Sequence, residues 1–248
     1  MRVFLHEVGA QQRVFWRSRE AALFVFLFPL LLFMLLGSVY NGKIDGVPAA
    51  RVLLAGLIGY GCANTAFAGL AIQLVGRRET GILKRLRATP LPTGTYVAGT
   101  LTSTLLVFAI QTVALILLGR VAYGTPMPTA VGSLVAAVII GAVAFAALGV
   151  ATASLIRSAE GSSAVVNFIL LPMAFLTGAF GPTRRYPEAL RIIGDVLPLK
   201  YFLDIVDAVY LHGRGIWTQP RALAMLGVWA ATGLVVGTLK FRWEPRER

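Results

Sequence analysis

Charged residues are scarce in this chain. They make up 14% of its 248 residues, whereas a soluble domain has about a quarter. Hydrophobic residues make up 57%, whereas a soluble domain has close to half. A chain with this composition would expose too much apolar surface to water. The composition therefore excludes an ordinary soluble domain and predicts an all-α polytopic membrane protein.

Cysteine and histidine are also scarce, which limits the disulfides, metal sites and catalytic sites that the chain can form. Cys62 is the single cysteine, so an intramolecular disulfide is excluded. The two histidines, His6 and His212, lie far apart outside the apolar stretches, which disfavours a metal cluster. The sequence has no G-x-x-x-x-G-K-[ST] phosphate loop. We therefore expect no catalytic residue, no metal and no cofactor on this chain, and no ATP hydrolysis by it.

Six apolar stretches suit a transmembrane helix, which needs about 20 residues to cross the hydrocarbon core. They cover residues 21–40, 52–76, 95–118, 129–155, 162–180 and 221–239. We expect one transmembrane domain over residues 1–248. Its parts are an interfacial helix (1–20), spans one to five (21–180), outer-leaflet helices (181–220), and span six with a cytoplasmic tail (221–248).

The distribution of lysine and arginine predicts the orientation. Fourteen of these cations lie in the two termini, in residues 77–92 and in residues 156–161, whereas the short loops of the opposite side have three. Cations concentrate on the cytoplasmic side, so both termini and residues 77–92 are expected there. The net charge of +12 fits anionic lipid as a partner. Without a basic stripe that carries stacking aromatics, it does not indicate nucleic acid.

Residues 77–92, RRETGILKRLRATPLP, form a polar island between spans two and three that we call the basic segment. Five of its first eleven residues are cations. Glu79 and Thr80 suit a helix start, and Pro90 and Pro92 suit its end, so a helix is expected over residues 79–89. An ordinary positive-inside loop is the alternative interpretation.

The long connection between spans five and six holds two amphipathic patterns. Pro187 and Pro198 can each open a short helix with one apolar face. Neither helix is long enough to cross, so we expect a re-entrant pair that dips into the outer leaflet.

Four motifs carry a resemblance to a known family. They are RSRE (17–20) before a span that contains Pro29, the basic segment, LTGAFGP (176–182) followed by Pro187, and LPLKYFLD (197–204). With these motifs in a six-span frame, the chain resembles permease subunits of ABC-2 family exporters, of the daunorubicin-resistance type. It departs from that pattern at Lys200, where a small hydroxyl residue is common, and at Asp207, where a basic residue is common.

The resemblance implies a bacterial cell membrane as the location, and it implies a function and partners. The basic segment would be a coupling helix that docks into a separate ATP-binding subunit, which carries the ATP and Mg²⁺. The complete exporter would contain two such subunits and a second permease, identical to this one or different. It would move an amphipathic drug, lipid or glycoconjugate out of the cell, as drug-efflux exporters that confer drug resistance do. The expected coupling residues are Arg78, Glu79, Gly81, Leu83, Arg85, Leu86 and Pro90. The expected outer-leaflet residues are Pro187, Pro198, Tyr201 and Asp204.

Polar residues inside spans are costly and need an explanation. Asn64 and Thr65 fall in span two, and Asn167 falls in span five. They are interpreted as facing a substrate path. The alternative is an interhelical hydrogen bond, worth about 1 kcal/mol.

Two further functions stay open. Asp204 and Asp207 are three residues apart, which suits an intramembrane enzyme that modifies lipids with a metal or an acid–base pair. A membrane scaffold that recruits an ATPase without transport is the other.

Overall fold

The computed structural model describes residues 2–40, 42–44, 46–184 and 186–241. The tail expected beyond Phe241 lies outside the described residues. The described part is helical apart from its loops and one short hairpin, Lys43–Ile44 with Val47–Pro48. Its α-helices are α1 (Arg2–Arg17), α2 (Arg19–Val39), α3 (Ala49–Cys62), α4 (Leu70–Glu79), α5 (Ile82–Arg87), α6 (Thr93–Tyr123), α7 (Val131–Leu155), α8 (Ser162–Thr177), α9 (Glu188–Val196), α10 (Pro198–Val206) and α11 (Pro220–Lys240).

Five helices of the described part are long and apolar enough to cross a membrane. They are Ala22–Val39, Ala49–Glu79, Thr93–Tyr123, Val131–Leu155 and Pro220–Lys240. The fifth expected span, residues 162–180, is instead the 16-residue apolar helix α8, which is shorter than a typical span. It ends early because Gly178 adopts a left-handed conformation, φ +87°, that closes the helix.

The second long helix, Ala49–Glu79, is the centre of the bundle. Of the residues in its most apolar window, 89% are buried, against 22% for the windows of α2 and α11. It runs from α3 through π-helical turns at Ala63–Gly69 into α4. Helices α2, α6, α7, α8 and α10 pack around it. A change in the position of this helix would therefore shift the helices that pack around it.

The short helices lie at the two ends of the bundle. Helix α1 packs along α6, whereas α5 follows directly on the end of α4. Helices α9 and α10 begin next to Pro187 and Pro198, and α10 packs against α3 and α11. Most of α10 is buried, and Tyr201 is 8% exposed.

Glycine allows α7 to approach the central helix closely. A Cβ placed on Gly149 would lie 2.8 Å from the carbonyl oxygen of Phe67, in the π-helical turns. Backbone atoms cannot rotate away from such a contact, so the helices would have to separate. The spacing between α7 and the central helix depends on this residue.

We expect Gly149→Ala to destabilise the protein by about 1–3 kcal/mol through overpacking. The measurement is the thermal unfolding midpoint of purified protein in detergent. Gly132→Ala is the matched control in the same helix, because a Cβ there meets nothing within 4 Å. Equal midpoints for the two variants would contradict the close approach.

Candidate functional site

The basic segment contains the end of one helix and a second, separate helix. Helix α4 continues to Glu79, and Gly81 takes a left-handed conformation with φ +70° before α5 begins at Ile82. The expected start at Glu79 and Thr80 is therefore wrong. The Thr80 hydroxyl instead donates to the carbonyl of Gly76 at 2.9 Å, beside the Thr80 backbone N–H at 3.1 Å, so Thr80 closes the end of α4.

Arg78 fastens the end of α4 to the end of α7. Its guanidinium donates to the carbonyl oxygens of Ala153 at 3.0 Å and Ile156 at 2.5 Å. Carbonyls in the last turn of a helix lack partners within the helix and favour a nearby cation. Arg78 is 1% exposed, so its role here is anchoring, and the side chain offers no surface to a partner.

Arg77 fastens the same helix end to α6 and α1. It donates to the Tyr96 hydroxyl at 2.9 Å and to Gln11 Oε1 at 2.6 Å. The Gln11 amide in turn donates to Glu7 at 2.6 Å. Sequence reasoning missed Arg77 and Gln11 because they are 66 residues apart. The adjacent arginines were the available signal, since neighbours on a helix point about 100° apart.

The remaining residues of the basic segment divide into buried and exposed positions. Leu83 is fully buried, so it lies on the inner face of α5. Leu86 is half-buried. Glu79, Ile82, Arg85 and Pro90 are exposed. Arg85 also donates to the carbonyl of Thr80 at 3.1 Å, across the turn at Gly81. The surface available to a partner is therefore formed by the exposed residues.

A cavity of about 380 Å³ brings the three expected path residues together. It lies between α1, α2, the π-helical turns, α4, α6 and α8, and Asn64, Thr65 and Asn167 all line it. In a π-helix each backbone hydrogen bond spans one residue more than in an α-helix, which shifts side chains around the helix axis, and such turns recur at functional sites. Here it occurs where the central helix meets the cavity.

The path residues differ in their hydrogen bonds. Thr65 donates to Gln111 Oε1 at 2.9 Å, and Gln111 donates to the carbonyl of Val25 at 3.0 Å, so Thr65 belongs to an interhelical network. Asn167 donates to the carbonyl of Ser163 in its own helix at 2.9 Å. Asn64 is 7% exposed, and its side chain makes no hydrogen bond to any described residue. Of the three, Asn64 is the residue with its amide available to a ligand.

Asp204 and Asp207, the acidic pair near the end of α10, lie close to the cation Lys200. Asp204 forms an ion pair with Lys200 on α10. Burial, together with the neighbouring charge of Asp204, raises the pKa of Asp207 to about 7, and Lys200 opposes this shift. Among the described residues, three or more His, Cys, Asp or Glu side chains do not converge on a metal-sized site. Asp204 lies in α10, and Asp207 begins the π-helical turns that follow it.

Arg78→Lys should lower the stability of the protein by about 1–3 kcal/mol, because an ammonium cannot bridge both carbonyls as the guanidinium fork does. Unfolding in detergent, followed by circular dichroism, measures the change. Arg85→Lys is the control, since it keeps the same chemistry on an exposed side chain and should change stability by less than about 0.5 kcal/mol. If both variants unfold alike, Arg78 is not an anchor.

Comparison with known proteins gives relatives that are named as membrane permeases. The chain is 24% identical to "Inner membrane transport permease YhhJ" of Escherichia coli over 182 residues, which are 70% of this chain and 48% of that protein. It is 23% identical to "Probable multidrug ABC transporter permease YbhR" of Escherichia coli over 164 residues, 66% of this chain and 45% of that one. The chain thus spans about half the length of these two relatives.

A third relative is covered more fully. The chain is 27% identical to "Nodulation protein J" of Bradyrhizobium diazoefficiens over 211 residues, 81% of this chain and 76% of that protein. The family model described as ABC-2 type transporter matches residues 4–211. That match covers well over half of the sequence, and this chain therefore belongs to the ABC-2 type transporter family.

Proposed function

We propose that this chain is the permease subunit of an ATP-binding cassette exporter whose ATP is hydrolysed by a separate subunit. Family membership and relatives named as permeases support this proposal. The observation that carries it is the basic segment, which is anchored internally by Arg77 and Arg78 and exposes Ile82 and Arg85 beyond Gly81. A segment that is fixed at one end and free on its outer face can transmit force.

The proposed partner grips the exposed face of the basic segment. Glu79 and Arg85 offer charge of both signs, and Ile82, 40% exposed, offers an apolar contact between them. Gly81 allows the sharp turn that presents this face. In the proposed assembly, two ATPase subunits with ATP and Mg²⁺ bind two permease copies, identical or different, of the daunorubicin-resistance type.

The proposed transmission follows the anchors. Movement of the basic segment reaches α7 through Arg78, and reaches α1 and α6 through Arg77, Gln11 and Tyr96. Gln11 also lines the cavity. One hydrogen bond, from Arg77 to Gln11, therefore joins the basic segment that the ATPase would move to the wall of the path that a cargo would occupy.

The orientation and the outer helices complete the proposal. Both termini and the basic segment face the cytoplasm of a bacterial cell, as the lysine and arginine distribution favours. Helices α9 and α10, which begin next to Pro187 and Pro198 and include Tyr201 and Asp204, dip into the outer leaflet where cargo leaves.

The test is association with the ATPase subunit. We expect the double variant Glu79→Lys/Ile82→Asp to lose most copurification with its ATPase partner, because it reverses the charge and removes the apolar contact on the proposed face. Copurification from detergent-solubilised membranes and cargo-stimulated ATP hydrolysis are the two readouts.

The matched control is Glu188→Lys, a charge reversal at an exposed residue of α9 at the opposite end of the bundle. It should copurify as the wild type does. Undiminished association and ATP hydrolysis in the double variant would overturn the role of the basic segment. Binding of the ATPase without any cargo movement in the wild type would favour the scaffold instead.

A further inference from the structure

The cavity beside Asn64 is polar but carries no charge. Nine of its 18 lining residues are neutral polar residues, and the other nine are apolar or glycine. Within the part of the chain that the structure describes, no Lys, Arg, Asp or Glu lines it. A charged group that enters such a site leaves water without gaining a counter-charge, which is strongly unfavourable.

Two charges that contact the cavity wall are already paired. Arg77 and Glu7 both bind the side-chain amide of Gln11, one at its oxygen and the other at its nitrogen. The amide lies between the two charges, and their opposite signs largely cancel for a ligand beyond it. Neither charge is available to hold an ion in the cavity.

The wall retains unused amide groups. The hydroxyls of Thr100 and Thr104 donate to carbonyls of their own helix. The side chains of Asn64 and Gln73 make no hydrogen bond to any described residue, and Asn64 is 93% buried. An amide both donates and accepts, and so do hydroxyl and amide groups on a ligand. A quaternary ammonium offers no such donor, and a phosphate offers mainly acceptors.

The other half of the wall suits a hydrocarbon chain. Phe15, Phe24 and Val107 are among its apolar residues. A ligand that matches both halves has an apolar chain and an uncharged headgroup rich in hydroxyl or amide groups. We infer that the cavity selects cargo of this class, such as a neutral glycolipid-like amphipath, over cationic and anionic amphipaths. The inference rests on the proposed function, because it names the cargo of the same path.

The test compares three probes with one chain and three headgroups. Photoreactive C12 alkyl glucoside, C12 trimethylammonium and C12 phosphate are titrated against the full chain in phosphatidylcholine nanodiscs, and labelled residues are identified by mass spectrometry. We expect the glucoside to label cavity residues such as Phe24 and Val107 with half-saturation at least about tenfold lower than the other two probes. Equal or tighter labelling of the cavity by the ammonium or the phosphate probe would overturn the inference.

A charge placed in the wall should change the selectivity. Asn64→Asp should shift preference toward the ammonium probe, and Gln73→Glu provides the same test at a less buried position. Thr232→Ser on the exposed face of α11 is the control and should keep the wild-type order of the probes. If both acidic variants also keep that order, the lining does not set the preference.

The outcome is separable from that of the proposed function, because the probes are applied without an ATPase. If the chain prefers the glucoside but binds no ATPase, the headgroup selectivity stands and the proposed exporter function is contradicted. If the chain couples to an ATPase but shows no headgroup preference, only the inference about cargo selectivity is contradicted.

Discussion

The rest of the structure depends on how two adjacent arginines fix the end of the central helix. Arg78 binds the carbonyls of Ala153 and Ile156 at the end of α7, and Arg77 binds Tyr96 of α6 and Gln11 of α1. Because neighbouring residues point about 100° apart on a helix, one pair of residues reaches neighbours on different sides. The helix cannot move there without moving α1, α6 and α7.

The same helix connects the anchored end to the cavity. Asn64 lies 14 residues before Arg78, or about 21 Å along a helix that rises 1.5 Å per residue. Its buried amide has no partner among the described residues, whereas buried Arg78 has two carbonyl acceptors. Polar groups are costly inside a membrane bundle, so Arg78 with its partners contributes to the fold, and Asn64 without one is the candidate for the binding role that we propose.

The sequence predicted the features that composition and periodicity encode. The positions of five of the six expected spans, the location of the basic segment and the helices at Pro187 and Pro198 follow from apolar length and proline placement. Asn64, Thr65 and Asn167 were grouped because polar residues are rare in spans, and the structure places all three at one cavity.

The remaining features depend on contacts that local patterns do not contain. Glu79 looked like a helix start, but α4 extends through it and is held to the end of α7 by Arg78, and Gly81 then turns the chain with positive φ before α5. The burial of Leu83 and the link from Arg77 to Gln11 likewise arise from packing. The π-helical turns at Ala63–Gly69 have no signature in a single sequence.

The most direct test of the account is the side of the membrane on which the basic segment lies. Lys84 is exposed, and Cys62 is fully buried, so a cysteine at position 84 has a silent background for labelling. The Lys84→Cys variant is treated with a membrane-impermeant maleimide in intact cells and again after permeabilisation. The account predicts labelling only after permeabilisation, and labelling of intact cells would contradict it.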